Sequence, residues 1–310
     1  MDNIFLGQKL IGYERFYENI SLMKNSKRTQ QAILIEGEKG GGKRTLALHL
    51  GMGLICRHNE NPCFSCSSCK KAISGNHPDI SFIRGNDKTG GISVEDIRTL
   101  RLSAYVIPHE SEKRIFIVEN SENMSVGAQN AFLKILEEPP NNVVFILTTS
   151  NRMGLLETVL SRVAILSLPT LNSQKIETAL LAFGIDGARA KKAAETSSSV
   201  GEAIKIIEDK DLSSAFSSAE KFKELILQRS KYELLVLLSS YSATSQRRNY
   251  IAMLSAAAKL LTKEARTNPQ YGAFSLKKDL DAIYKTESFL NNNVGAPVAS
   301  AFLTGELCLR

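Results

Sequence analysis

No long hydrophobic run occurs in this sequence. The most apolar stretches, Ala32–Ile35, Ile115–Val118 and Val143–Leu147, fall far short of the roughly 20 residues that span a bilayer, so no transmembrane helix is expected. The start, Met1–Gly7, lacks a basic segment followed by an apolar stretch, so no secretory leader is expected either. A cytoplasmic setting with reduced thiols follows. Repeats and low-complexity tracts are absent, and 43% apolar with 23% charged residues excludes disordered, collagen-like and disulfide-stapled classes. Acidic residues are in deficit, 32 against 39 Lys and Arg, and the net charge of +7 favours acidic partners, nucleic acid among them. At 310 residues the chain is long enough for two or three domains.

Residues 1–168 alternate strand and helix patterns. Strands are expected at Ala32–Glu36, Asp79–Arg84, Lys113–Glu119, Val143–Thr148 and Val163–Leu168, each rich in Ile, Val and Phe. Continuously apolar strands suit a parallel sheet covered on both faces. Helices are expected at Arg44–Ile55, at Val94–Tyr105 behind Ser93 with Asp96 three residues on, and at Val126–Glu138 behind Ser125. The fold class is therefore a doubly wound α/β domain. After Pro169 strand signals stop. Ser173–Phe183, Ala188–Glu195 and Gly201–Glu208 read as short helices, and from Leu212 onward leucine clusters at helical spacing read as a bundle core. Polar breaks at 169–173 and 209–214 give domains 1–168, 169–211 and 212–310.

Behind the first strand stands Gly37-Glu38-Lys39-Gly40-Gly41-Gly42-Lys43-Arg44-Thr45, then a helix. Strand, glycine loop and helix start form a phosphate cradle: amides point inward, and Lys43 reaches β- and γ-phosphates. Two parts of a hydrolytic site are missing. The position after the lysine needs a hydroxyl for Mg²⁺ but holds Arg44, a donor-only cation, while Thr45 is turned about 100° around the helix. The strand ending at Glu119-Asn120 lacks the second carboxylate that could take a proton from water. ATP or ADP binding through Gly37, Gly42 and Lys43 stays open; Mg²⁺-dependent hydrolysis is not expected.

Four of the five cysteines, Cys56, Cys63, Cys66 and Cys69, fall in the spacing C-x6-C-x2-C-x2-C, which can wrap one tetrahedral ion. Structural Zn²⁺ is the first expectation because it favours thiolates in a closed site; an iron–sulfur cluster and a disulfide pairing stay open. His58 and His77 read as ordinary surface residues, and Cys308 stands apart.

The phosphate loop, the four-cysteine insertion behind its helix, Ile115–Ser125, Ala131–Pro140 with its Leu-Glu-Glu-Pro-Pro, and Leu160-Ser161-Arg162 together resemble the AAA+ subunits of the bacterial DNA polymerase III clamp loader. Within that family the degenerate loop and strand end are most like the delta-prime branch. The resemblance covers residues 1 to about 210 closely, while 211–310 are similar only in being helical. It implies an AAA+ domain with a parallel sheet, a small helical lid and an all-helical oligomerisation collar. It implies a hetero-pentamer with delta and gamma/tau subunits, acting indirectly on the beta sliding clamp and on primed DNA, with no membrane. Arg162, in the family's Ser-Arg-Cys position ahead of Val163, would be an arginine finger serving a neighbour's ATP site. Thr148 and Thr149 fall where the family's first sensor probes nucleotide, and the lid segment Ser199–Ala203 carries Glu202 where a motor subunit has an arginine. Two other readings stay open: an ATP-hydrolysing gamma/tau-type motor, which needs Ser or Thr at 44, a carboxylate at 120 and a lid arginine, and a zinc-containing DNA-binding module.

Overall fold

The computed structural model describes residues 7–25, 30–58, 62–86, 90–268, 271 and 273–308. Most of the Met1–Gly7 segment, on which the leader reading rests, lies outside them. The chain divides into two compact units, residues 1–175 and 176–310.

The first unit contains five parallel strands: β1 (Ala32–Glu36), β2 (Ile80–Ile83), β3 (Arg114–Val118), β4 (Val143–Thr149) and β5 (Ala164–Ser167). Their order is β2-β3-β4-β1-β5. One register row crosses the whole sheet, Ile83, Val118, Leu147, Leu34 and Ile165. All five expected strands are present, with ends shifted by one residue at most.

Parallel strands need crossovers, and here helices cover both faces. On one face Phe116, Val118, Phe145 and Leu147 pack with Ile97 and Leu100 of α4 (Val94–Ala104) and with Phe132 and Ile135 of α5 (Val126–Glu137). Ser93 and Asp96 form the expected capping box on α4, and Ser125 caps α5 through the Ala128 amide at 3.2 Å. The other face carries α2 (Lys43–Ile55), buried on almost every side. Helix α1 (Glu14–Asn25) lies on α2, burying Phe16, Tyr17 and Ile20. Contact is tight enough that a Cβ at Gly53 would come within 2.3 Å of Ile20 Cγ2. Two further short helices, α3 (Ser67–Ile73) and α6 (Glu157–Leu160), complete this unit.

Because the strands are parallel, the loops after β1, β2, β3 and β4 gather at one carboxyl edge. Strand β1 sits where the order reverses, between β4 and β5, the position at which open α/β sheets form a ligand crevice.

Among its described residues the second unit has helices joined by turns and no strand: α7 (Ser173–Ala182, reaching back across the boundary), α8 (Gly187–Thr196), α9 (Val200–Glu208), α10 (Lys210–Gln228), α11 (Lys231–Ser239), α12 (Arg247–Thr267), α13 (Ala273–Asn291) and α14 (Ala296–Cys308). Phe216, Phe222, Leu234, Leu238, Tyr250, Leu254, Ile283 and Leu303 form its core. The polar break expected at 209–214 is not a break. Only Asp209 separates α9 from α10: its amide closes α9 on Lys205 O, and its carboxylate accepts from the Leu212 amide at 3.2 Å. Polar residues there build a cap between two helices. No helix among the described residues is long and apolar enough to cross a membrane.

Candidate functional site: a self-filled phosphate loop, a four-cysteine cluster and an exposed arginine

The loop after β1 has the backbone of a phosphate cradle. Gly40 and Gly42 both adopt φ of 78°, a left-handed conformation that costs glycine little, and Gly42 is the cap from which α2 starts. Lys43 points into this loop, but its ammonium is already satisfied. Nζ donates to Gly37 O (2.8 Å), Glu38 O (2.8 Å) and Ser150 Oγ (2.9 Å), which uses all three N–H bonds. Burial holds its pKa below the usual lysine value, with Glu122 opposing that shift. Ser150 is held in turn, its amide donating to Glu122 Oε1 at 2.9 Å, while the other Glu122 oxygen is buried without a partner. On the outer side, Tyr13 donates its hydroxyl to Gly41 O at 2.8 Å. Burial and the Glu38 charge push the Tyr13 pKa up to about 12.

Where a divalent cation would be ligated, the structure holds guanidinium groups. Arg44 Nε lies 3.0 Å from Glu119 Oε1, and Arg84 Nε lies 3.1 Å from the same oxygen. Both arginines also stack on Phe82, at 5.8 and 5.2 Å from the ring centre. The Glu119 side chain is 12% exposed, so its charge is neutralised largely out of water by two fixed cations. Asn120 adopts φ of 50°, and its amide donates to Thr148 Oγ1 at 3.0 Å. The buried Thr148 hydroxyl is thus engaged with the β3 end, and Thr149 Oγ1 accepts from the Asn151 amide at 3.0 Å. Thr45 is half-buried one position beyond Arg44.

The four cysteines converge as the spacing requires. Cys56 closes the C-terminus of α2, Cys66 caps α3, and all four sulfurs lie within 4.8 Å of one another, unpaired by disulfides. A tetrahedron of sulfurs about 2.3 Å from a central ion has edges of about 3.8 Å. Cys63 and Cys69 Sγ stand 3.9 Å apart. The amides of Cys66 and Cys69 donate to the sulfurs of Cys63 and Cys66, each at 3.4 Å. This donor set fits a soft, four-coordinate metal ion with no open position. One sequence expectation changes here. His77 is not a surface residue: it is 4% exposed, with Nδ1 accepting from the Asp79 amide at 3.1 Å and Nε2 within 2.9 Å of Ser68 Oγ. It buttresses α3 from outside the sulfur cluster.

Arg162 stands apart from these clusters, just past α6. Its NH1 donates to Thr158 O (2.9 Å) and Ser161 Oγ (3.3 Å), and its NH2 to Glu137 Oε1 at the end of α5 (2.9 Å). In the second unit Glu202 is fully engaged: Lys259 Nζ lies 3.0 Å from both carboxylate oxygens, and the Ser198 amide and hydroxyl donate to Oε2. Its charge is therefore neutralised inside its own unit. Tyr13, Arg84 and Ser150 carry no motif of their own and matter only through a partner distant in the chain. Glu122 and Glu137 lie inside the stretches 115–125 and 131–140 that carry the resemblance, but the sequence assigns neither a role.

A family model described as "DNA polymerase III, delta subunit" matches residues 12–172. The DNA polymerase III subunit delta' of Bacillus subtilis is 31% identical over 205 residues, 65% of this chain and 61% of that protein. The gamma/tau subunit of Mycobacterium bovis is 33% identical over 156 residues, 50% of this chain and 27% of that one. The chain therefore spans less than two thirds of the length of either relative. Among solved structures, a DNA polymerase III gamma-subunit-related protein of Thermotoga maritima is similar at 19% identity and a TM-score of 0.47, covering 96% of this chain and 99% of that one. With its parallel α/β sheet and its glycine loop at the switch strand, and with more than half of its length matched by the family model, the chain belongs to the DNA polymerase III delta-subunit family.

Proposed function

We propose that this chain is the non-hydrolysing, delta-prime-type subunit of a DNA polymerase III clamp loader. In this reading it assembles with delta and gamma/tau subunits into a hetero-pentamer, with residues 212–310 as the collar, and lends Arg162 to a neighbour's ATP site. The ring's cycle would act on the sliding clamp at primed DNA. The observation that carries the reading is the self-filled pocket: Lys43 is saturated by Gly37, Glu38 and Ser150, and Glu119 is neutralised by Arg44 and Arg84. A carboxylate held by two guanidinium groups is a poor ligand for Mg²⁺, and no second carboxylate follows it at Asn120. Cys56, Cys63, Cys66 and Cys69 would hold a structural Zn²⁺, which when bound supplies rigidity and no chemistry.

Arg162 is suited to action in trans. Its side chain is 36% exposed and its ionic partner among the described residues, Glu137, is 52% exposed. Such a pair contributes about 0–1 kcal/mol. An arginine finger is worth roughly 10³–10⁵ in rate, about 4–7 kcal/mol of transition-state stabilisation, so leaving the resting contact is a small cost against that gain. The test is Arg162→Ala in the reconstituted five-subunit assembly. Assembly should be normal by size-exclusion chromatography, while single-turnover ATP hydrolysis at the site Arg162 completes falls about 10³-fold or more. Unchanged hydrolysis and clamp loading would remove the finger assignment.

A further inference from the structure

We propose that Glu137 is a positioning residue that parks Arg162 on its own subunit until a neighbour's nucleotide draws the guanidinium away. This rests on the reading of Arg162 as a finger and adds a control on it. Glu137 is the last residue of α5, and among the described residues its carboxylate has Arg162 as its polar partner, through a single 2.9 Å contact. The contact is one-to-one, unlike the two-pronged pairing a guanidinium makes with a carboxylate or phosphate when fully engaged. The rest of the parking site is backbone and hydroxyl. Thr158 O accepts from Arg162 NH1 at 2.9 Å and from Ser161 Oγ at 3.0 Å, and Ser161 Oγ itself accepts from Arg162 at 3.3 Å. Ser161 thus fixes the near end of the guanidinium while Glu137 fixes the far end.

Two features mark this as a latch and not as part of the fold. Both side chains are substantially in water, where removing a partner leaves no buried charge unpaired. The pair also joins residues 25 positions apart at the ends of α5 and α6, elements already locked by buried apolar contacts of Phe132, Ile135, Leu155 and Val159. A γ-phosphate offers more negative charge than one carboxylate and accepts two prongs at once, so it competes successfully for the same cation. In its absence the guanidinium rests on Glu137, and the neighbouring site lacks a finger.

The experiment uses the full chain, first alone and then in the reconstituted assembly. Phenylglyoxal modifies free guanidinium groups, and its rate at Arg162 is read by peptide mass spectrometry. In Glu137→Gln the rate should rise about 2–5-fold, the factor by which losing an exposed pair shifts the parked population, and the difference should vanish near 1 M salt. Glu137→Lys should exceed it. In the assembly, Glu137→Gln should raise ATP turnover without clamp or DNA by a similar factor and leave the fully stimulated rate as it was. An unchanged Arg162 reactivity would overturn the proposal. So would raised reactivity with unchanged turnover in an assembly that Arg162→Ala disables, which keeps the finger and discards the latch. Full activity in Arg162→Ala would instead overturn the underlying reading, and the latch with it.

Discussion

Removing both arginines that grip Glu119 should destabilise the protein by more than the sum of the single replacements. Arg44 and Arg84 are each about half exposed, at 52% and 49%, so an exposed pair at the upper end of its range plus stacking on Phe82 makes each worth about 1 kcal/mol. Either one alone still neutralises the carboxylate. With both gone, a carboxylate 12% exposed loses both of these cationic partners, and an unsatisfied group of that kind costs a further 1–3 kcal/mol or so. Arg44→Thr with Arg84→Ala should therefore cost about 3–5 kcal/mol, with a coupling of at least about 1 kcal/mol in the double-mutant cycle. Urea unfolding of the four proteins at one pH measures this. Vacating the place also frees it for a divalent cation: Mg²⁺ at about 10 mM should return roughly 0.5–1.5 kcal/mol to the double variant, as expected for a millimolar site, and nothing to the natural sequence. Strict additivity, or equal stabilisation of both proteins by Mg²⁺, would refute the idea that the guanidinium groups occupy the cation's position.

Two further outcomes follow from the same geometry. Purified protein should carry about one Zn²⁺ per chain, and Cys63→Ser should abolish stoichiometric metal with a stability loss on the order of 4 kcal/mol; equal stability of metal-free protein in urea would refute the bracing role. Tyr13 has a folded pKa raised from 10.0 to about 12, so as pH rises past 10 the unfolded chain ionises first. Its contribution is then lost between about pH 10 and 12, by roughly 2–3 kcal/mol. Tyr13→Phe should cost about 1 kcal/mol at neutral pH through its lost bond to Gly41 O, and should lessen the alkaline loss, to which the raised Tyr17, Tyr241, Tyr250 and Tyr271 also contribute; an unaltered pH slope would show that Tyr13 is not among the titrating groups.

What could be read in advance was whatever depends on near neighbours in the chain. The strands follow from runs of β-branched and aromatic residues, and the caps at Ser93 and Ser125 from a serine placed one residue before an apolar period. The cysteine cluster follows from spacing alone, because x2 spacings bring three of the four sulfurs to one end of α3. Helix α1 escaped notice because its buried residues, Phe16, Tyr17 and Ile20, make only one turn of apolar pattern, and α2, not periodicity, stabilises them.

The candidate site divides along the same line. The motif pointed to Lys43 and Arg44, and the arginine at 44 marked the absence of a magnesium ligand, but neither said what stands in its place. The replacements come from far away: Ser150 lies 107 positions from Lys43, and Arg84 lies 35 from Glu119, on loops that only the β2-β3-β4-β1 order brings to one edge. A missing magnesium ligand predicts a weakened site. Two arginines closing on the remaining carboxylate, and a lysine saturated by its own loop, make a different object, a phosphate loop kept as a structural joint whose polar groups are satisfied without phosphate. In the proposed reading, that distinction separates a motor with a fault from a subunit whose own pocket is at rest. It rests on partners that local sequence cannot name, because parallel sheets assemble their functional edge from segments that are never adjacent in the chain.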